Sequence, residues 1–106
     1  MIDPTALYNK AIEQAEDWAD KEHAAGVLED AVGAMEGLLY AEYKAKGEPA
    51  TLIPRLIKKD DRHKNALNLW RDAKKEAHIA KMKYDQVNKY QDNIRTKEST
   101  ERQLAR

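Results

Sequence analysis

The C-terminal half of the chain repeats an apolar residue every three or four positions, with no glycine or proline after residue 54. The steps alternate between four and three, which is the heptad repeat of helices that pack side by side in a coiled coil. A helix with this repeat buries one narrow face against another helix, and the many alanines on that face favour a close approach. The predicted seam comprises Ala66, Trp70, Ala73, Ala77, Ala80, Tyr84, Val87, Gln91 and Ile94.

Helix signals also cover an N-terminal region, residues 3–46. Asp3 followed by Pro4 is typical of a helix start, because aspartate caps the first turn and proline suits the first helical position. Apolar residues then recur at helical spacing in two groups. The first group is Tyr8, Ile12, Ala15, Trp18 and Ala19, and the second is Leu28, Ala31, Val32, Met35, Leu38 and Leu39.

Three glycines interrupt this N-terminal region. Gly26 follows a polar stretch, so a break or a bend near residues 20–26 is expected, and the pattern leaves open which of the two forms. Gly33 and Gly37 each cost roughly 1 kcal/mol of helix propensity relative to alanine. Their spacing of four on the apolar stretch indicates either a close approach by another backbone or a bend.

The two halves meet in a connector, residues 47–60. Gly47 and Pro49 end the first helical region, and the apolar residues that follow are too many for a bare linker. A short helical turn capped by Thr51 is expected there. The long basic helix then begins at Asp60 or Asp61 and covers residues 61–98, with a frayed tail over 99–106. The whole chain is thus predicted to be a single all-α domain, a long helical hairpin.

The formal net charge of zero conceals two opposite halves. Residues 1–53 hold four basic and eleven acidic side chains, a net charge of −7; residues 54–106 hold fifteen basic and eight acidic ones, a net charge of +7. Such asymmetry indicates binding to a nucleic acid or to a charged partner. The alternative is that an acidic helix lies antiparallel on a basic one and the two neutralise each other.

Composition limits how such a chain becomes stable and where it works. With no phenylalanine and many alanines, a core made within one chain of 106 residues is thin, so a homo-oligomer is expected. The chain has no cysteine, which excludes disulfides and thiolate metal sites. No stretch is long and apolar enough to cross a membrane, and no signal segment is recognisable, so a cytoplasmic protein without a membrane partner is expected.

Catalytic patterns are absent from the sequence. The three histidines lie far apart and share no metal-ligand spacing. The chain has no glycine-rich phosphate loop and no serine nucleophile pattern. We therefore expect no catalytic residues, no metal and no cofactor, and a protein that is not an enzyme.

The basic surface of the final helix is the candidate site. Its cations recur at steps of three and four, so they share one side of the helix next to the seam and can follow a phosphate backbone. The alternative is that Lys74 and Lys81 pair with glutamates of the acidic helix. The basic stripe consists of Arg71, Lys74, Lys75, His78 and Lys81, and further cations cluster at the start of the helix (Lys58, Lys59, Arg62, Lys64) and near its end (Arg95, Lys97, Arg102, Arg106).

Three segments resemble a known family of small helical proteins encoded beside phage recombination genes, the UvsY-type recombination mediators. They are the opening Ile2-Asp3-Pro4-Thr5, the stretch from Tyr40 to Gly47, and the run from Ile94 to Arg102. The order of an N-terminal helix, a glycine-marked break and a long charged helix is similar too. The resemblance implies an oligomer that binds single-stranded DNA and helps to load a recombinase onto strands covered by single-strand-binding protein. Residue by residue it extends to Arg95, Thr96 and Arg102.

The resulting expectation is a phage-type recombination accessory factor that binds single-stranded DNA through the basic helix face with little sequence preference. It would act in the cytoplasm, that of the host if the protein is phage-encoded, with a recombinase or a single-strand-binding protein as partner. Two alternatives stay open. The chain could be a helical adaptor or oligomeric structural protein whose charges serve helix pairing. It could instead be a regulator whose acidic half binds a nucleic-acid-binding protein.

Overall fold

The computed structural model describes residues 3–104 and is a long antiparallel helical hairpin. Helix α1 (Pro4–Ala45) and helix α3 (Asp61–Leu104) pack along their lengths, and the short helix α2 (Ile53–Lys59) lies where the chain turns. The molecule measures 82 × 21 × 15 Å, so it is two helices wide and little more than one helix thick. The predicted all-α hairpin is confirmed. Over the described residues, no helix has the length and apolarity needed to cross a membrane.

Helix α1 is continuous, so the break, one of the two forms expected near residues 20–26, is wrong. The start is as predicted, since Asp3 caps the helix by accepting a hydrogen bond from the Thr5 amide at 3.1 Å. Gly26 lowers the helix propensity, but unlike proline it keeps its backbone N–H and its hydrogen bond. Ala25, which is buried, and Leu28, which is half-buried, pack this part of α1 in the inner seam. A side chain at any of the three α1 glycines would meet no atom within 4 Å. The close approach expected at Gly33 and Gly37 is therefore not made within residues 3–104.

The heptad seam of α3 is confirmed, because all nine of its residues are buried or half-buried. Ala80 is the most enclosed of them, with 3% of its surface exposed. This face of α3, together with the matching face of α1, is the inner seam of the hairpin.

On α1 the inner seam follows an equally regular repeat, which the sequence pattern predicts only in part. Five predicted apolar residues lie in it: Trp18, Leu28, Val32, Met35 and Leu39. Five others that the pattern places with them are exposed: Tyr8, Ile12, Ala19, Ala31 and Leu38. The inner seam contains polar residues that hide the period, including Lys21, which is half-buried and whose ammonium reaches Glu76 at 3.8 Å. The α1 residues of the seam are Leu7, Ala11, Gln14, Trp18, Lys21, Ala25, Leu28, Val32, Met35, Leu39 and Glu42.

The connector closes the hairpin with a small apolar core. Gly47 adopts φ +86°, and the Glu48 amide donates to the Tyr43 carbonyl, so α1 ends in the predicted left-handed cap. Helix α2 then places Ile53 and Ile57 against Leu39. Leu52, and not Thr51, precedes α2, and no side chain caps it. Packing of its isoleucines, rather than a capping bond, holds this helix.

A polar cluster at the junction of α2 and α3 ties the turn to α1. The Asp60 carboxylate accepts a hydrogen bond from the Arg62 amide at 2.9 Å, which caps α3, and another from the Tyr43 hydroxyl at 2.8 Å. The Arg62 guanidinium bonds to Asp60 and also to Glu42 of α1, at 2.8 Å. The bonds from Arg62 and Tyr43 hold the pKa of Asp60 well below its usual range.

The Asp60→Asn variant is expected to lose part of the acid sensitivity of the fold. Because the folded-state pKa lies below the unfolded value of about 3.9, the charged Asp60 stabilises the hairpin fully above about pH 5. That contribution disappears as the pH falls through the folded-state pKa. Urea unfolding followed by circular dichroism at pH 7 and pH 3 should show a smaller stability difference for Asp60→Asn than for the wild type.

The matched control is Asp61→Asn, which removes the same charge one residue along the chain. Its pH dependence should follow that of the wild type. If both variants lose stability in parallel between the two pH values, the cluster does not carry the effect.

At its C-terminal end α3 stays helical through Leu104, which differs from the frayed tail expected over residues 99–106. Hydroxyls of Thr96 and Thr100 bond back to carbonyls four residues earlier in this segment. Ile2 and Arg106, which entered the sequence analysis, lie outside the described residues.

Candidate nucleic-acid interface

The basic stripe lies on an exposed side of α3, adjacent to the inner seam. All five of its residues are exposed. From Arg71 to Lys81 the helix rises about 15 Å, and Lys64, two turns before Arg71, continues the same side. The helix backbone alone thus places a row of cations along one edge of the hairpin.

The inner edge of the stripe borders an open groove between α1 and α3, with a volume of about 390 Å³. Both tryptophans of the chain line this groove. One wall comes from α1 and carries glutamates, whereas the α3 wall carries cations. The α1 wall is formed by Trp18, Glu22, Ala25, Gly26 and Glu29, and the α3 wall by Trp70, Lys74, Ala77, His78 and Lys81.

Each tryptophan holds one lysine of the stripe over its ring. Lys74 Nζ lies 5.2 Å from the ring centroid of Trp70, and Lys81 Nζ lies 5.9 Å from that of Trp18. Trp18 also packs on Tyr84 of α3, with 5.5 Å between ring centroids. A cation–π contact at an exposed site contributes only about 0.5–1 kcal/mol, so it positions an ammonium without neutralising it.

The acidic helix does not neutralise the stripe by direct ion pairs. Among residues 3–104, the ion pairs between α1 and α3 join Lys21 to Glu76 and Arg62 to Glu42, and a hydrogen bond joins His63 to Glu36. The expected alternative, Lys74 and Lys81 paired with glutamates, is therefore not seen in this part of the chain. Glu22 and Glu29 share the groove, but the two lysines lie over indole rings instead.

The other predicted contact residues lie elsewhere. Lys58 and Lys59 are exposed on α2, at the turn end of the hairpin. Arg62 is engaged with Asp60 and Glu42, so it holds the fold together and is not a free cation. Arg95 and Arg102 occupy the same heptad position as Lys74 and Lys81, two and three repeats beyond Lys81, so they border the inner seam about 21 Å and 32 Å farther along α3. Lys64, Arg71, Lys74, Lys75 and Lys81 form the continuous part of the row of cations.

Sequence reasoning assigned Trp70 to the seam and overlooked the role of Trp18 at the groove. The spacing of four between Trp70 and Lys74 is a signal that one helix face carries both. The contact between Lys81 and Trp18 crosses from α3 to α1, so no local spacing reveals it. Only the register of the hairpin places that ring under that ammonium.

The histidines stay apart, as their spacing indicates. His63 is buried at the inner seam, and its Nε2 lies 2.9 Å from Glu36, while His23 and His78 are exposed. Over residues 3–104, no three side chains of the types that bind metals come together. Comparison with protein-family models, with curated proteins and with solved structures found no match to this chain.

Proposed function

We propose that the chain is a DNA recombination accessory factor of the phage mediator type, not an enzyme, that binds single-stranded DNA through the basic stripe. The observation that carries the proposal is that four stripe cations are exposed and make no ion pair within residues 3–104. Unpaired cations in a row bind phosphates and release the counterions that surround a nucleic acid. Backbone charge is the same for every sequence, so this binding tolerates sequence.

The tryptophan groove adds a means of favouring single strands. Unpaired bases expose their ring faces, and an aromatic side chain beside a cationic track can stack on them. A base could stack on Trp70 once Lys74 moves from the ring to a phosphate. Trp18 contacts both Lys81 and Tyr84, so it would position Lys81 for a phosphate instead. A duplex keeps its bases stacked inside, so it would use only the charges. As a mediator, the protein would act in the cytoplasm with a recombinase or a single-strand-binding protein.

The test is fluorescence anisotropy of a labelled single-stranded oligonucleotide titrated with the protein at several salt concentrations. Four neutralised phosphates should give a slope of about −3 in the logarithm of affinity against the logarithm of salt concentration. Tryptophan emission should change in the same titration, since both tryptophans line the groove. A duplex of the same length should bind more weakly and leave the emission unchanged. Absence of binding at low salt would refute the proposal.

A helical adaptor is the second candidate, and one observation favours it. Large apolar side chains such as Val27, Leu38 and Ile79 are exposed on the hairpin, and exposed apolar surface is a feature of protein-binding sites. On this alternative the protein binds other proteins and no DNA. The acidic half of α1 could then bind a nucleic-acid-handling protein, and DNA would compete for that partner.

A further inference from the structure

Helix α1 carries a second heptad repeat that its own chain does not use. Its residues alternate steps of three and four, all are apolar, and all are exposed. The two largest, Val27 and Leu38, expose 54% and 53% of their surface. This outer seam comprises Ala24, Val27, Ala31, Ala34, Leu38 and Ala41.

The outer seam lies on a different side of α1 from the inner seam. Each outer-seam residue directly precedes an inner-seam residue, so at 100° per residue the two stripes lie about 100° apart around α1, and a helix that fills the inner seam leaves the outer one open. Nothing in residues 3–104 covers the outer seam. It runs for about 26 Å along the helix without a charged residue. Before it, the same repeat reaches the acidic Asp17 and Asp20, which end the apolar stretch.

We propose that the outer seam binds the outer seam of a second copy of this chain, antiparallel and about a two-fold axis. The order of side chains is self-complementary in that orientation, because each position meets one of matching size. Val27 lies opposite Leu38 of the second copy, and Ala31 lies opposite Ala34. At the ends of the seam, Ala24 meets Ala41. Alanine pairs at the centre bring the helices together, and the Val27 and Leu38 layers fill the space on either side.

Charge decides the antiparallel orientation. Residues 13–22 of α1 hold five acidic side chains and one lysine, a net charge of −4. Residues 43–59 at the turn end hold five basic side chains and one acidic, a net charge of +4. Antiparallel pairing about the centre of the outer seam lays the acidic segment of each copy along the basic turn end of the other. Parallel pairing would place acidic on acidic, which is unfavourable.

The proposed dimer leaves the DNA site open. None of the outer-seam residues lines the tryptophan groove, and the basic stripe belongs to α3. Two hairpins joined through α1 would therefore carry two stripes. A DNA strand that contacts both stripes would bind the dimer more tightly than it binds a single hairpin. The dimer itself does not depend on DNA, so it can be tested in the absence of DNA.

The first experiment is light scattering coupled to size-exclusion chromatography over a range of protein concentrations. The wild type should show twice the chain mass of 12.2 kDa. Leu38→Glu places a charge in the seam, and the measured mass should fall by half while circular dichroism shows unchanged helicity. Ala19→Glu is the matched control, because it puts the same charge on an exposed site of α1 outside the seam. It should stay dimeric. A monomeric wild type, or a dimeric Leu38→Glu, overturns the proposal.

Orientation is tested by mixing two variants. Val27→Lys alone should be monomeric, as Leu38→Glu is. An equal mixture should recover the doubled mass, since antiparallel pairing sets the new lysine of one chain opposite the new glutamate of the other. Parallel pairing would place position 27 opposite position 27 and recover nothing. A mixture that stays monomeric, with both variants helical, overturns the antiparallel arrangement.

Discussion

Reversing the charge of the basic stripe is expected to lower the affinity for single-stranded DNA by on the order of 100-fold or more at moderate salt. Four phosphate contacts would be lost, and the new carboxylates would repel the strand. The salt dependence should vanish with them, so anisotropy at low and moderate salt should no longer differ. The substitutions are Arg71→Glu, Lys74→Glu, Lys75→Glu and Lys81→Glu.

Folding has to be separated from binding in this variant. Lys74 and Lys81 share a groove with Glu22 and Glu29, so glutamates at these two positions could repel α1. A glutamine version of the four substitutions removes the positive charge without that repulsion, and it should also bind weakly. Circular dichroism should show both versions to be helical.

A control with charge changes away from the stripe shows whether position matters or only net charge. Lys10→Glu with Lys83→Glu alters two exposed lysines that lie outside the groove and the stripe. Arg71→Glu with Lys75→Glu makes the same change in net charge within the stripe. Only the second pair should lower the affinity strongly. Equal losses would mean that overall charge, and not the stripe, drives binding.

Leu39→Ala is expected to destabilise the fold by about 2–5 kcal/mol, the usual cost of a large cavity in a core. Leu39 and Ile53 are the largest side chains with no exposed surface, and they contact each other at the turn end. In a hairpin with so few buried apolar residues, one such cavity removes a large share of the core. Urea unfolding should show the loss as a lower midpoint.

Leu69→Ala is the control, because it deletes the same atoms from a side chain that is 57% exposed on α3. It should cost well under half as much, since exposed leucine gains little from burial. Should the two variants unfold at the same urea concentration, the small core at the turn end does not hold the hairpin.

The α3 half of the fold was predictable because its local signals agree. A heptad with no glycine or proline predicts one long helix and its buried face, and the structure confirms both. On α1 the same logic succeeds only in part, since Trp18 and Leu39 lie in the inner seam as predicted but Gln14 and Lys21 also occupy it while Tyr8 is exposed. Burial there depends on which residues α3 presents, and a pattern of apolar positions does not contain that information. Gly26 does not break α1, because packing on α3 offsets the helix propensity that the glycine costs.

The candidate site divides in the same way. That Arg71, Lys74 and Lys75 share a side of a helix follows from 3.6 residues per turn. That these cations make no ion pair with carboxylates of α1 cannot be predicted from the spacing, and Arg62 shows why. It looks like another surface cation, yet two carboxylates engage it, one of them from α1 across the hairpin.

Backbone capping and helical periodicity act between residues near in the chain, so the two long helical regions, the ends of α1 at Asp3 and Gly47, and the basic side of α3 follow from the sequence. The register of α1 on α3, the continuity of α1 through Gly26, the tryptophans beneath Lys74 and Lys81, and the exposure of the outer seam are set only when the two helices pack together. Those features depend on how side chains from two distant segments fill the space between them. Many near-equivalent apolar and alanine faces compete along α1, and packing against α3 selects among them.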